Sequence, residues 1–146
     1  MDEIPSGFDE IHRPVSARTV ALANALAGRL CAVAPAGILV TADRGNVNVS
    51  SNGRSLHGSA ASSIIDDDDD RTIEEKIETV VRAVLSGVQD CIAELLTEQW
   101  PAASDDVMAL PGARIENNRA HLWFGDEKDP TLSFTPLDLT EIYRTT

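Results

Sequence analysis

Apolar residues recur along the chain with two different periods, and the places where the period changes divide it into elements. The longest run lies between Thr72 and about Gln99, where Ile73, Ile77, Val80, Val81, Val84, Leu85, Val88, Ile92, Leu95 and Leu96 follow at three- and four-residue steps. That spacing puts them on one stripe of an α-helix. Thr72, with Glu75 three residues on, forms a capping-box pattern at its start, and Trp100-Pro101 marks its end because proline cannot extend the hydrogen-bond ladder. At the rise of an α-helix this span is roughly 40 Å long, enough to cross the face of a small sheet, so it is expected to be the main cover of the core. A first helix is predicted over residues 15–33, alanine-rich, with Leu22, Leu26 and Leu30 at four-residue steps and Pro35 and Gly37 just beyond. Arg18 and Arg29 fall on what reads as its solvated side.

Elsewhere the period is two. Residues 38–42 read as a buried strand, 43–46 as a glycine-containing turn, and 47–51 as a strand alternating valine with polar residues. Asn52-Gly53 then supplies a two-residue turn with positive φ at both positions, which sets Val49 opposite Leu56 on an inner face and Asn48 opposite His57 on an outer one. A second hairpin comprises residues 113–116, an Asn117-Asn118 turn and residues 119–124; Ile115 opposes Ala120, Ala113 opposes Leu122, and Phe124 continues the apolar side. Arg114, Glu116, Arg119, His121 and Trp123 share the other side. Residues 125–130 form a charged turn, 131–135 a strand with Leu132 and Phe134 inward, and 137–143 a short terminal element. The predicted fold is α+β, an antiparallel five- or six-stranded sheet with two helices on one face in the order helix-βββ-helix-βββ. Residues 15–146 make a single domain, and residues 1–14, with Pro5, Gly7 and Pro14 among charges, an irregular N-terminal arm.

The two helices share a row of small residues, Ala23, Ala27 and Cys31 against Ala83, Gly87 and Cys91, offset by sixty throughout. Identity between the halves is otherwise thin, which falls short of a repeat protein. Small side chains permit close packing, so the helices are expected to meet near these rows, with both cysteines buried and reduced.

Composition narrows the function classes. With 42% hydrophobic residues in 146, the chain can bury a core without disulfides or metal, and with aromatics at 4% that core is aliphatic. Twelve basic against 24 acidic residues leave a net charge of -12, a field that repels a phosphate backbone and disfavours nucleic acid as a partner. The opening residues Asp2, Glu3, Asp9 and Glu10 are opposite in sign to a secretory leader, and no apolar run approaches a membrane span. The expectation is a cytoplasmic protein with no membrane partner. The run Asp66 to Asp70 lacks the spaced ligands and central glycine of a calcium loop and reads as a solvated acidic stretch ahead of a helix N-terminus.

No phosphate loop, dinucleotide fingerprint, nucleophile elbow or zinc-protease motif occurs, so no catalytic residue, cofactor or metal ligand is predicted. His12 lies in the arm, and His57 and His121 on the polar sides of separate hairpins. Trp123 is more informative. It points away from Leu122 and Phe124, and so is either covered by another part of the fold or exposed beside arginines, the composition of an interaction hot spot. Arg114, His121 and Trp123 are therefore the candidate protein-binding residues. The element order, small size and acidity resemble the specialised chaperones of type III secretion and their relatives, a resemblance that implies binding another polypeptide as a dimer. The expected function is a non-enzymatic protein-binding module, adaptor, secretion-chaperone-like or immunity-type, acting on another protein or as a homodimer. The alternative is a small enzyme or ligand-binding protein with His57, His121 and nearby carboxylates lining a cleft, which a deep pocket with convergent polar groups would favour.

Overall fold

The computed structural model describes residues 16–59, 69–101 and 109–144. Three two-residue turns with positive φ at both positions organise its strands: Arg44-Gly45 (55° and 85°), Asn52-Gly53 (50° and 83°) and Asn117-Asn118 (54° and 61°). Such turns match the right-handed twist of the strands they join. The first two connect β1 (Leu39–Asp43), β2 (Asn46–Ser51) and β3 (Arg54–Ser59) into a meander. Val49 faces Leu56 and Asn48 faces His57 as the turn requires, and Val40, Val47 and Val49 are buried on one side. The third joins β4 (Pro111–Glu116) to β5 (Arg119–Gly125) with Ile115 opposite Ala120 and Ala113 opposite Leu122.

The strands do not form the single five- or six-stranded sheet expected from their order. They make two antiparallel sheets, one of β1 to β3 and one of four strands, in which β6 (Pro130–Ser133) and β7 (Leu137–Asp138) share the second edge of β5. β6 pairs at Trp123, Phe124 and Gly125, and β7 at Arg119 and Ala120. At the free edge of β4 a helix side chain meets the backbone. In a two-residue hairpin the pair closing the turn exchanges hydrogen bonds and alternate pairs do so thereafter, so Ala113 turns its carbonyl away from β5. That carbonyl accepts from Arg82 Nη2 at 2.9 Å. A helix side chain thus satisfies a backbone group on the edge of β4.

Helix α1 (Ala17–Val33) is capped by the Ser16 hydroxyl, which accepts the Thr19 amide at 3.1 Å. Helix α2 (Ile73–Leu96) carries the capping box in full, with Thr72 Oγ1 accepting the Glu75 amide at 3.1 Å and Glu75 Oε1 accepting the Thr72 amide at 2.8 Å. It ends at Leu96, short of Trp100-Pro101, because Thr97 adopts the left-handed conformation (φ 56°) and its N–H closes the last turn onto Ala93 and Glu94. Ile77, Val80, Val81, Val84, Leu85, Val88 and Ile92 are fully buried along the predicted stripe, and each such side chain contributes roughly 1.5–3 kcal/mol relative to exposure. Gln89 shares the stripe and is satisfied there, donating Nε2 to the Ala109 carbonyl at 2.6 Å.

Two expectations about the helices change. Helix α1 lies close to β1, β2 and the terminal helix α3 (Thr140–Arg144), and α2 lies close to β2, β3 and β4. Ala83, Gly87, Cys91 and Cys31 are only half-buried, although both thiols are free as expected. Burial pushes the Cys91 thiol up, with Glu94 and Asp90 adding to it. Arg18 and Arg29 are not simply solvated. Arg29 donates Nε to the Thr135 carbonyl at 2.8 Å and Nη2 to that of Pro136 at 3.1 Å, and Arg18 Nη2 donates to the Tyr143 carbonyl at 3.2 Å. The chain leaves the ladder between β6 and β7, and the guanidinium fork serves the carbonyls exposed there. One hydrophobic cluster runs through both described sheets and the three described helices; within it the Phe124 ring centroid is 5.5 Å from that of Trp100 and 5.9 Å from that of Phe134.

A candidate protein-binding face

Strand β5 alternates strictly. Ala120, Leu122 and Phe124 turn into the core, which leaves Arg119, His121 and Trp123 on the outer face of the four-stranded sheet. The register of β4 sets Arg114 opposite His121 and Gly112 opposite Trp123. The glycine decides where the indole goes. A Cβ on Gly112 would fall 2.3 Å from Trp123 Cε2 and 2.5 Å from Nε1, so the ring lies directly against the bare backbone of β4. Trp123 is accordingly half-buried, covered on one side by a neighbour that has no side chain. Glycine opposite tryptophan in the hairpin register was the available signal, and neither residue announces it alone.

Arg114 is clamped between two carboxylates. Its Nη1 donates to Glu116 Oε1 at 2.7 Å and its Nε to Glu127 Oε2 at 2.8 Å. The Glu116 hydrogen bond, then that of Glu127, raises its pKa further above the usual arginine value, so it is charged at any working pH. Glu127 comes from the turn between β5 and β6, which is held by its own hydrogen bonds: the Lys128 amide donates to Asp126 Oδ1 at 3.0 Å and the Asp129 amide to the Asp126 carbonyl at 3.1 Å. Gly125 opens that turn at φ 103°, with Thr131 Oγ1 2.8 Å from where a Cβ would sit, so only glycine fits.

Arg114, His121, Trp123, Glu127, Pro130 and Phe134 border an open depression of about 170 Å³. The three residues singled out from the sequence thus converge on one feature. Its size is below the roughly 300–1,000 Å³ of ordinary small-molecule pockets. Its charged lining residues are Arg114 and Glu127, one of each sign and paired with each other. His121 is the one histidine among the described residues lining it. His57 lies in β3, in the other sheet, and His12 lies outside the described residues, as do the arm 1–14 and Asp66 to Asp68.

Among the described residues no group of three or more histidine, cysteine, aspartate or glutamate side chains is arranged to hold a metal ion, and no helix is long and apolar enough to cross a membrane. Asp69, from the aspartate run, is hydrogen-bonded to Arg71 (Nε to Oδ2 at 3.0 Å), with Lys76 Nζ 4.0 Å away. The Arg71 guanidinium holds its carboxyl down at about 2. Comparison with protein-family models, with curated proteins and with solved structures gives no match.

Proposed function

We propose that the protein is a non-enzymatic binding module that engages another polypeptide, or a second copy of itself, through the outer face of its four-stranded sheet. The observation that carries this reading is the convergence of Trp123, His121 and Arg114 on one open depression too small for a typical substrate. A half-covered indole set against a glycine is an anchor of low conformational cost, because the ring is already placed before a partner arrives. Tryptophan and arginine are the residues in which interface energy concentrates. The enzymatic alternative requires His57 and His121 to share a cleft, and their strands belong to different sheets.

Replacing Trp123 by alanine tests the reading. Sedimentation and affinity capture of wild type and Trp123→Ala, beside their thermal melts, separate an anchor from a structural residue. As an anchor, the substitution keeps the fold and weakens association by about 2 kcal/mol or more. A lowered melting temperature with unchanged association in the folded fraction refutes the proposal.

A further inference from the structure

We propose that the chain forms a two-fold dimer in which the outer edge of β1 pairs antiparallel with β1 of a second copy, joining two three-stranded sheets into one of six strands. The inference is independent of the Trp123 face, which belongs to the other sheet and is left to another polypeptide.

The turn after β1 fixes what its outer edge offers. Asp43 and Asn46 close the two-residue turn and exchange hydrogen bonds, as do Thr41 with Asn48 and Leu39 with Ser50, so Val40 and Ala42 turn their N–H and C=O groups away from β2. Among the described residues no strand lies on that side, since β1 ends the order β1, β2, β3. Lysine, proline and bulges are the usual guards of an edge, and β1 has neither of the first two nor a register shift against β2. Its one charge, Asp43, stands at its end. Leu39 adds an aliphatic side chain that is 52% exposed.

Charge selects a second copy as the occupant. The chain carries 24 acidic residues and a net charge of -12, yet none of the acids lies between Glu10 and Asp43, where an even spread would place several. Two such chains repel wherever their carboxylates meet and least where they have none. The acid-free stretch comprises α1 and all of β1 except its last residue. Its described cations, Arg18 and Arg29, are turned to the carbonyls of Tyr143, Thr135 and Pro136 of their own chain. A basic segment finds no carboxylate along this stretch and an acidic one is repelled by the whole chain, whereas a copy of β1 needs only backbone groups and a neutral surface.

The same observations choose a register. With the two-fold axis at Val40, the two Val40 residues exchange both backbone hydrogen bonds, and each Ala42 amide donates to the Ile38 carbonyl of the other copy. The Ile38 amide is already spent on the Pro35 carbonyl at 3.0 Å. Leu39 then lies beside Thr41 of the other copy, an aliphatic and β-branched pair on the outer face, and the two Asp43 carboxylates stand at opposite ends of the paired stretch. An axis at Ala42 would bring those carboxylates to neighbouring positions. A specific interface takes about 600 Å² or more from each copy, beyond what a five-residue strand supplies. Helix α1, which lies close to β1 and exposes Ala17, Asn24, Gly28 and Ala32, provides uncharged surface for the remainder.

Sedimentation of the full chain over a range of concentrations reads the dimer, and amide hydrogen exchange followed by nuclear magnetic resonance reads the edge. The Thr41 amide is protected by β2 in either state, whereas those of Val40 and Ala42 should gain protection only as the dimer forms. Added salt should tighten the dimer by screening the like net charges. Leu39→Lys sets like charges near the axis, and Ala42→Pro removes an outward amide without touching the ladder to β2. Each should weaken the dimer about tenfold or more, because every loss occurs twice about the axis, with the far-ultraviolet circular dichroism of wild type retained. Trp123→Ala should leave the dimer intact. A chain that stays monomeric at every concentration overturns the proposal, and so does protection of Val40 and Ala42 in the monomer, which would mean that the chain covers its own edge. A dimer that Trp123→Ala abolishes and both β1 variants leave unchanged puts the second copy on the other sheet and overturns it as well. Should a variant fail to fold, exchange at Val40 and Ala42 in the wild type decides alone.

Discussion

Gly112 and Trp123 should behave as one unit, and Gly112→Ala measures how tightly. The glycine has no positive φ to protect, so the backbone accepts alanine without strain; the whole effect comes from a methyl group placed 2.3–2.6 Å from three indole atoms, which the ring must vacate. Overpacking of this kind costs about 1–3 kcal/mol. With Trp123 already alanine, the obstacle is gone, and replacing a strand glycine by alanine should be neutral or stabilise by about 0.5–1 kcal/mol. The two substitutions are therefore non-additive, with a coupling of at least about 1 kcal/mol between cross-strand neighbours. Urea denaturation followed by far-ultraviolet circular dichroism is the suitable assay, because one of the two tryptophans is being removed. Midpoints should differ at constant slope across wild type, both single variants and the double variant. If Gly112→Ala costs the same in both backgrounds to within about 0.5 kcal/mol, the usual error of additivity, the indole does not rest on Gly112 and the seat described for it is wrong.

Other expectations follow from the ends of α2 and from the acidic turn before it. Thr72→Ala removes one half of the capping box and should lower stability by about 1 kcal/mol, read from chemical denaturation. Thr97→Gly should raise it by roughly 0.5–1 kcal/mol, since a β-branched residue at φ 56° carries a left-handed strain that glycine lacks, offset in part by the entropy of the glycine. Asp69 titrates at about 2 against an ordinary 3.8 because Arg71 hydrogen-bonds its charged form. The folded value is the lower one, so this pairing favours the fold fully above pH 3.8 and loses its effect as pH falls toward 2. Arg71→Gln should return the Asp69 midpoint toward 3.8 in a carbon-detected titration; an unmoved midpoint would exclude Arg71 as the cause.

What could be read before the structure was whatever depends on neighbours in sequence. Asn52-Gly53 and Asn117-Asn118 dictate their turn type, a turn type dictates a register, and a register dictates which side chains share a face, so both hairpins follow from dipeptides. The capping box at Thr72 and Glu75 and the stripe from Ile77 to Ile92 are local in the same sense. The number of sheets is not local. It depends on contacts between residues far apart in the chain, of the kind by which Arg82 satisfies the Ala113 carbonyl from 31 residues away. Arg29 was misjudged for the same reason, since its partners at Thr135 and Pro136 lie more than a hundred residues on.

The candidate site shows the boundary within a single hairpin. Register alone put Arg114, His121 and Trp123 on one face, and it left the tryptophan without a neighbour because only side chains were counted as cover. Gly112 lay just beyond the predicted start of its strand, and backbone is as good a surface for an aromatic ring as a side chain when nothing projects from it. Glu127 was beyond reach in another way. Its place opposite Arg114 follows from the turn after Gly125, where a positive φ and the Asp126 hydrogen bonds fold a charged stretch back over the sheet. Read in sequence, Asp126 to Asp129 is a solvated charged turn. In space it brings one carboxylate to the lining of the depression, where Glu127 meets the Arg114 guanidinium. The place of that carboxylate is therefore carried by a loop whose composition was legible and whose direction was not.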